Sequence, residues 1–212
     1  MNSSTRKTLL QGPIGPIEVA LDVPAGAPRG LALVAHPHPL YGGNLDNKVT
    51  QTLARAFVQL GYLAARPNFR GVGATAGTHD AGPGEIDDTL FVIEHLLAEH
   101  GLVEVVLAGF SFGTYVQTHV APRLAARGRE VRRMVLVGSA AGKWDMQQVP
   151  AHTLLIHGEL DETITLQAVL DWARPQDLPV VVIPGADHFF HRKLTRIKQL
   201  VLDAWLGERQ PD

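Results

Sequence analysis

Cysteine is missing from all 212 residues, which excludes disulfides, thiolate metal sites, iron–sulfur clusters and a cysteine nucleophile. Long apolar runs are missing too, and no stretch approaches the roughly 18 residues of a membrane span. Met1 to Thr8 is polar, and the pair Leu9-Leu10 falls short of the roughly 7–15 apolar residues of a secretory signal. Neither sign of charge dominates: 19 Lys+Arg stand against 21 Asp+Glu, a formal charge of −2. That balance offers no surplus for a nucleic-acid backbone or an acidic lipid surface. Repeats and low-complexity tracts are also lacking. The expectation is a cytoplasmic protein of one domain, residues 1–212, with no nucleic-acid or membrane partner. Composition is silent on oligomeric state.

What the chain does have is an alternation of short β-branched runs with longer helix-period segments. Strands are expected at Ile17–Val23, Gly30–Ala35, Tyr62–Arg66, Val103–Ala108, Arg133–Val137, Thr153–His157 and Pro179–Ile183. From Leu31 onward most of these are apolar on both faces, as parallel strands covered by helices on both sides must be. The first differs: Lys7–Gln11 and Ile17–Val23 flank Gly12-Pro13-Ile14-Gly15-Pro16, a turn-rich stretch that predicts a hairpin. Helices are expected at Lys48–Leu60, Glu85–His100, Phe112–Arg127, Leu166–Ala173 and His191–Leu206. The acids Glu85, Asp87 and Asp88 open the second of these and read as complements to its dipole rather than as metal ligands. The fold class is therefore α/β, a mostly parallel doubly wound sheet with an N-terminal antiparallel hairpin. Ligands in such sheets bind beyond the carboxyl ends of the strands, so chemistry is sought in the residues just after each strand.

Strand Val103–Ala108 runs into Gly109-Phe110-Ser111-Phe112-Gly113 and then a helix, which is G-x-S-x-G in a strand–turn–helix setting. The serine of such a turn needs strained dihedrals, and flanking glycines remove the Cβ atoms that would collide there. With four serines and 21 glycines in 212 residues, about 0.04 chance matches are expected, so the motif is specific. A serine hydroxyl needs an adjacent base oriented by a third group, and behind a serine turn of this kind the chain order is Ser, acid, His. Asp161, after Thr153–His157, is assigned as the acid, and His188, after Pro179–Ile183, as the base. Glu159 and Glu162 are alternatives to Asp161. His191, placed inside the final helix, is an alternative to His188. Asp187 is read as a loop stabiliser and His157 as a buried structural imidazole. His79, His95, His100, His119 and His152 show no partner pattern.

A tetrahedral intermediate needs two N–H donors. Phe112 follows the nucleophile at a helix start. The second donor falls in His36-Pro37-His38-Pro39-Leu40, where the prolines have no N–H, leaving His38, with Leu40 as the fallback. His36-x-His38 could pair on a metal, but no carboxylate or third histidine follows, and neither metal nor organic cofactor is expected. Gly71-Val72-Gly73-Ala74-Thr75-Ala76-Gly77 has the wrong spacing for a phosphate loop and is read as a structural loop beside the active-site mouth.

Taken together, Gly109–Gly113 and His157-Gly158-x-x-Asp161 resemble the nucleophile turn and acid loop of the α/β-hydrolase fold. His36–Leu40 with Gly42-Gly43 and Asp46-Asn47-Lys48, then Asn68-Phe69-Arg70-Gly71-Val72-Gly73, resembles more narrowly a group of small serine hydrolases without a lid. The resemblance spans roughly residues 8–207, and it implies esterase-type activity. In that group a serine usually follows Val72-Gly73, where this chain has Thr75. Residues 140–151, where many relatives carry a lid, are too few for a multi-helix cover, so no lid domain is expected. An open site of this kind favours short-acyl or exposed esters or thioesters. Leu40, Tyr41, Trp144, Met146 and Phe189 are candidate pocket walls. The alternatives are a peptidase or amidase using the same three residues, and a non-catalytic binding scaffold.

Overall fold

The structure, a computed structural model, describes residues 5–206. The first four residues of the polar N-terminal stretch, with Ser3 and Ser4, and the tail from residue 207 lie outside the described residues. Among the described residues, eight strands form one sheet: β1 Thr5–Gly12, β2 Gly15–Asp22, β3 Leu31–Ala35, β4 Leu63–Pro67, β5 Val105–Phe110, β6 Val131–Val137, β7 Leu154–Gly158 and β8 Val180–Ile183. Their order is β1-β2-β4-β3-β5-β6-β7-β8. The hairpin β1–β2 is antiparallel and β2 pairs antiparallel with β4, while all pairs from β3 to β8 are parallel. Among the described residues, five α-helices flank the sheet: α1 Lys48–Gln59, α2 Pro83–His100, α3 Phe112–Ala125, α4 Leu166–Ala173 and α5 Leu194–Leu206.

Side-chain alternation sorts the apolar strands into two cores. Leu31, Leu33, Val105 and Leu107 join the layer covered by α2, α3 and α4, whereas Ala32, Val34, Val106 and Ala108 join the layer under α1 and α5. Burial on both faces is what the near-continuous apolar runs demand. Local signals set the helix ends. The Asn47 side chain accepts the N–H groups of Val49 and Thr50 at 2.9 and 3.3 Å and starts α1. At α2, Pro83 enters the first turn and the Glu85 carboxylate takes the Gly82 N–H at 2.8 Å, the capping arrangement that satisfies otherwise unpaired donors.

The last helix departs from expectation. It begins at Leu194 rather than His191 because Phe190 and Arg192 adopt φ of 53° and 61°, left-handed values that interrupt a helix. Asp187 accepts the His191 N–H and ring N–H, closing this turn from within. Between β6 and β7 no helix occurs, so the chain leaves the carboxyl edge of the sheet without a lid. The glycine loop after β4 is tied to the hairpin. Ala74 N–H reaches Glu18 at 3.1 Å and Ala76 N–H reaches Pro16 O at 2.8 Å. Thr75 is buried there, its hydroxyl accepting Glu18 N–H and donating to Asn68 O, both at 3.0 Å. A hydroxyl at this position joins two backbones. Among the described residues, no helix is long and apolar enough to cross a membrane.

Candidate active site

Ser111 sits at the turn from β5 to α3 with φ 54° and ψ −122°, a conformation that costs a non-glycine residue roughly 1–3 kcal/mol and persists only where neighbours enforce it. They do so here by close approach. A Cβ on Gly109 would lie 2.6 Å from the Gly113 carbonyl, and one on Gly113 would lie 2.5 Å from the Ala35 carbonyl of β3. Only hydrogen fits at either place, so the spacing of the motif is a packing requirement. Ser111 N–H bonds Val137 O at the end of β6, and its carbonyl receives Thr114 N–H and Oγ1 at 2.8 and 2.6 Å.

Two loops from the neighbouring strand ends converge on this hydroxyl. His188 Nδ1 donates to Asp161 Oδ2 at 2.6 Å, and Ser111 Oγ lies 3.0 Å from His188 Nε2. Since a carboxylate only accepts, the proton is on Nδ1 and the Nε2 lone pair faces the serine. The other Asp161 oxygen accepts the N–H groups of Thr163 and Ile164 at 2.9 and 2.8 Å. His188 and Asp161 are 6% and 5% exposed, so water competes little for the bond between them. Leu160 N–H to Ala186 O at 2.9 Å binds the two loops to each other. Glu159 is turned away to accept Gly185 N–H at 2.8 Å, and His191 is held by Asp187, so neither meets Ser111. Buried His157 donates from Nε2 to Ile164 O at 2.9 Å and stands 3.6 Å from Asp161 Oδ2.

A cleft of about 420 Å³ opens over Ser111, lined by His38, Tyr41, Phe112, Ala140, Lys143, Trp144, Glu162, Thr163 and Ile164. His38 and Phe112 thus border the serine, and among the described residues no protein acceptor takes either backbone N–H. Leu40 is removed as a fallback donor because its N–H is given to His38 Nδ1 at 3.2 Å. That bond keeps the neutral His38 ring protonated on Nε2. Burial, and then the adjacent His79, lower the His38 pKa below its ordinary value. Of the five expected walls, Tyr41 and Trp144 line the cleft. Met146 does not: it is 9% exposed in the core, against Thr114. Exposed Phe189 borders a separate hollow beside Asn44 and Arg192, and exposed Leu40 borders neither.

Sequence reasoning missed His79. Its ring packs 4.7 Å from His38, and its Nδ1 donates to fully buried Glu85 at 3.0 Å. The signal was Glu85 itself, six residues on, which serves a cap and a histidine together rather than merely a helix dipole. Asp88 likewise is engaged, by Arg70 Nε and Nη2 at 2.8 and 3.1 Å. Lys143 and Ile164 carried no sequence signal, because a place beside a distant serine has no local pattern. A larger hollow of about 900 Å³ at the opposite strand ends, bordered by Arg29, Glu104 and Arg129, has no paired nucleophile and base among the described residues that line it.

His36 cannot share a metal with His38. Its Nδ1 donates to Pro37 O at 2.6 Å and its Nε2 accepts Phe69 N–H at 3.0 Å, so both ring nitrogens are occupied. Complete burial lowers its pKa from 6.5 to about 3. The unfolded chain therefore binds this proton first, and stability present above pH 6.5 is lost as pH falls toward 3, at up to about 1.4 kcal/mol per pH unit. Urea unfolding of wild type and His36→Gln at pH 7.5 and pH 5 checks this. The variant is expected to lose about 2 kcal/mol less over that interval, and equal losses would exclude the account.

The sheet order, the crossover from β3 and the serine turn after β5 define an α/β hydrolase. No family model matches the chain. It is 30% identical over 206 residues to the uncharacterized protein RP471 of Rickettsia prowazekii, covering 91% of this chain and 85% of that one. An α/β serine hydrolase without a lid from Xanthomonas campestris superposes with a TM-score of 0.90 at 36% identity, covering 100% of this chain and 98% of the other. An α/β serine hydrolase homologue from Coxiella burnetii superposes at 0.81 with 33% identity, over 93% and 96% of the two chains. The chain belongs to the family of α/β serine hydrolases without a lid, and it is a hydrolase of this fold.

Proposed function

We propose that this hydrolase cleaves carboxylic esters or thioesters through an acyl-enzyme. The observation that carries the reading is the pair of distances around one imidazole, 2.6 Å to Asp161 and 3.0 Å to Ser111 Oγ. His188 takes the Ser111 proton as Oγ attacks the substrate carbonyl, while Asp161 fixes the tautomer and stabilises the imidazolium. The N–H groups of His38 and Phe112 hold the tetrahedral oxyanion. His188 then protonates the leaving oxygen or sulfur, activates a water against the acyl-serine and returns the proton to Ser111. In this reading the chain works as one domain in the cytoplasm on a small-molecule ester, with no metal or organic cofactor.

Labelling by a fluorophosphonate tests the reading against a non-catalytic scaffold, for which no stoichiometric attachment occurs. Matched ester and anilide substrates test it against an amidase, for which the anilide is turned over comparably. Acyl-chain preference follows from the absent lid. Without a cover, the cleft of about 420 Å³ shields a short acyl group but leaves a long chain in water, where its methylenes gain none of the roughly 0.8 kcal/mol each that burial yields. Hydrolysis of p-nitrophenyl esters from two to sixteen carbons is expected to peak at the short end. An optimum at the long end would rule out an open site.

A further inference from the structure

Aromatic residues make up only 6% of this chain, yet they gather at the cleft. The Trp144 ring packs on Phe112 and Tyr115 with centroids 4.8 and 5.0 Å away, and its backbone N–H is held by Ala140 O at 3.1 Å, which makes it a fixed wall. Tyr41 lies opposite in role: it is 87% exposed and rests against His38 at 4.8 Å. His38 in turn stands 5.6 Å from Trp144. The half-buried imidazole is therefore a floor between one rigid ring and one open ring, all three on the cleft that contains Ser111. Flat aromatic surfaces left partly in water at such a place stack most favourably on a flat aromatic guest.

Which part of the substrate enters is decided by His188. The leaving group must reach His188 Nε2 to collect its proton, and His188 is not among the described residues lining this cleft. The part held there is then the one that stays on Ser111, the acyl group. We propose that the cleft is an aryl-acyl subsite, in which Trp144 and Tyr41 stack on a compact planar aromatic acyl group above His38. This rests on the esterase reading and narrows its substrate class.

The test compares kcat/KM for methyl benzoate and methyl cyclohexanecarboxylate, each divided by the alkaline hydrolysis rate of the same ester without protein. The two acyl groups have the same carbon skeleton and differ in planarity and π-surface. Wild type is expected to favour the benzoate by about tenfold, as stacking on two rings allows. Trp144→Leu and Tyr41→Leu are expected to bring the ratio toward one. Both esters are measured on one preparation, so partial misfolding of Trp144→Leu cancels, and exposed Tyr41 provides a second variant. A wild-type ratio of one or below, or a wild-type ratio kept by both variants, would overturn the subsite. Turnover of p-nitrophenyl acetate and fluorophosphonate labelling separate the two levels. If both occur without an aryl preference, the subsite alone fails. If neither occurs, the esterase reading fails and takes the subsite with it.

Discussion

Ser111→Ala is expected to lower ester kcat by on the order of 10⁴-fold or more and to abolish fluorophosphonate attachment. The hydroxyl lost is the one that the His188 Nε2 lone pair faces at 3.0 Å. The residual rate would come from the oxyanion donors and from binding. Alanine at φ 54° keeps the strain of the turn but not its bond to His188, so the variant is expected to remain folded. Mass spectrometry of labelled wild type, with one adduct located on Ser111, is the direct measurement. Activity of Ser111→Ala within tenfold of wild type would exclude Ser111 as nucleophile.

Asp161→Asn is expected to cost about 10⁴-fold in kcat near neutral pH, with a much smaller change in KM. Its particular geometry makes the outcome sharper than simple loss of charge. One Asp161 oxygen accepts two backbone N–H groups, from Thr163 and Ile164. An asparagine must point its carbonyl oxygen at those donors, which turns its NH₂ toward His188 Nδ1. The imidazole then accepts at Nδ1 and carries its proton on Nε2, facing Ser111, where it cannot take the hydroxyl proton. Glu159→Gln, at the neighbouring acid that holds Gly185, is expected to retain most of its activity. If Asp161→Asn stays near wild type while Glu159→Gln collapses, the role of the acid belongs elsewhere in the loop.

Much of this architecture was legible in the chain. Runs such as Leu31-Ala32-Leu33-Val34-Ala35 carry their own explanation, because a strand buried on both faces must be apolar at every position. Strand ends were less legible. β5 runs to Phe110 since its last residue pairs with Val137 of β6, a partner that the apolar run Val103–Ala108 does not encode. The start of α5 was misjudged for a related reason: the left-handed turns at Phe190 and Arg192 follow from the His188 loop closing on its neighbours, not from helix propensity.

By itself, then, the sequence determined the chemical inventory and its order: no thiol, one serine in a glycine-flanked turn after a strand, and acids and histidines after later strands. It also determined that a cover between β6 and β7 could not be built. The tertiary structure decided which groups meet. Ser111 and His188 are 77 residues apart and His188 and Asp161 are 27 apart, and they converge because parallel pairing brings the ends of β5, β7 and β8 to one edge of the sheet. It likewise withdrew Leu40 as a donor, sent Met146 into the core and brought His79 onto His38. Local spacing constrains only neighbours along the chain, whereas the register between strands and the packing of loops set distances across it.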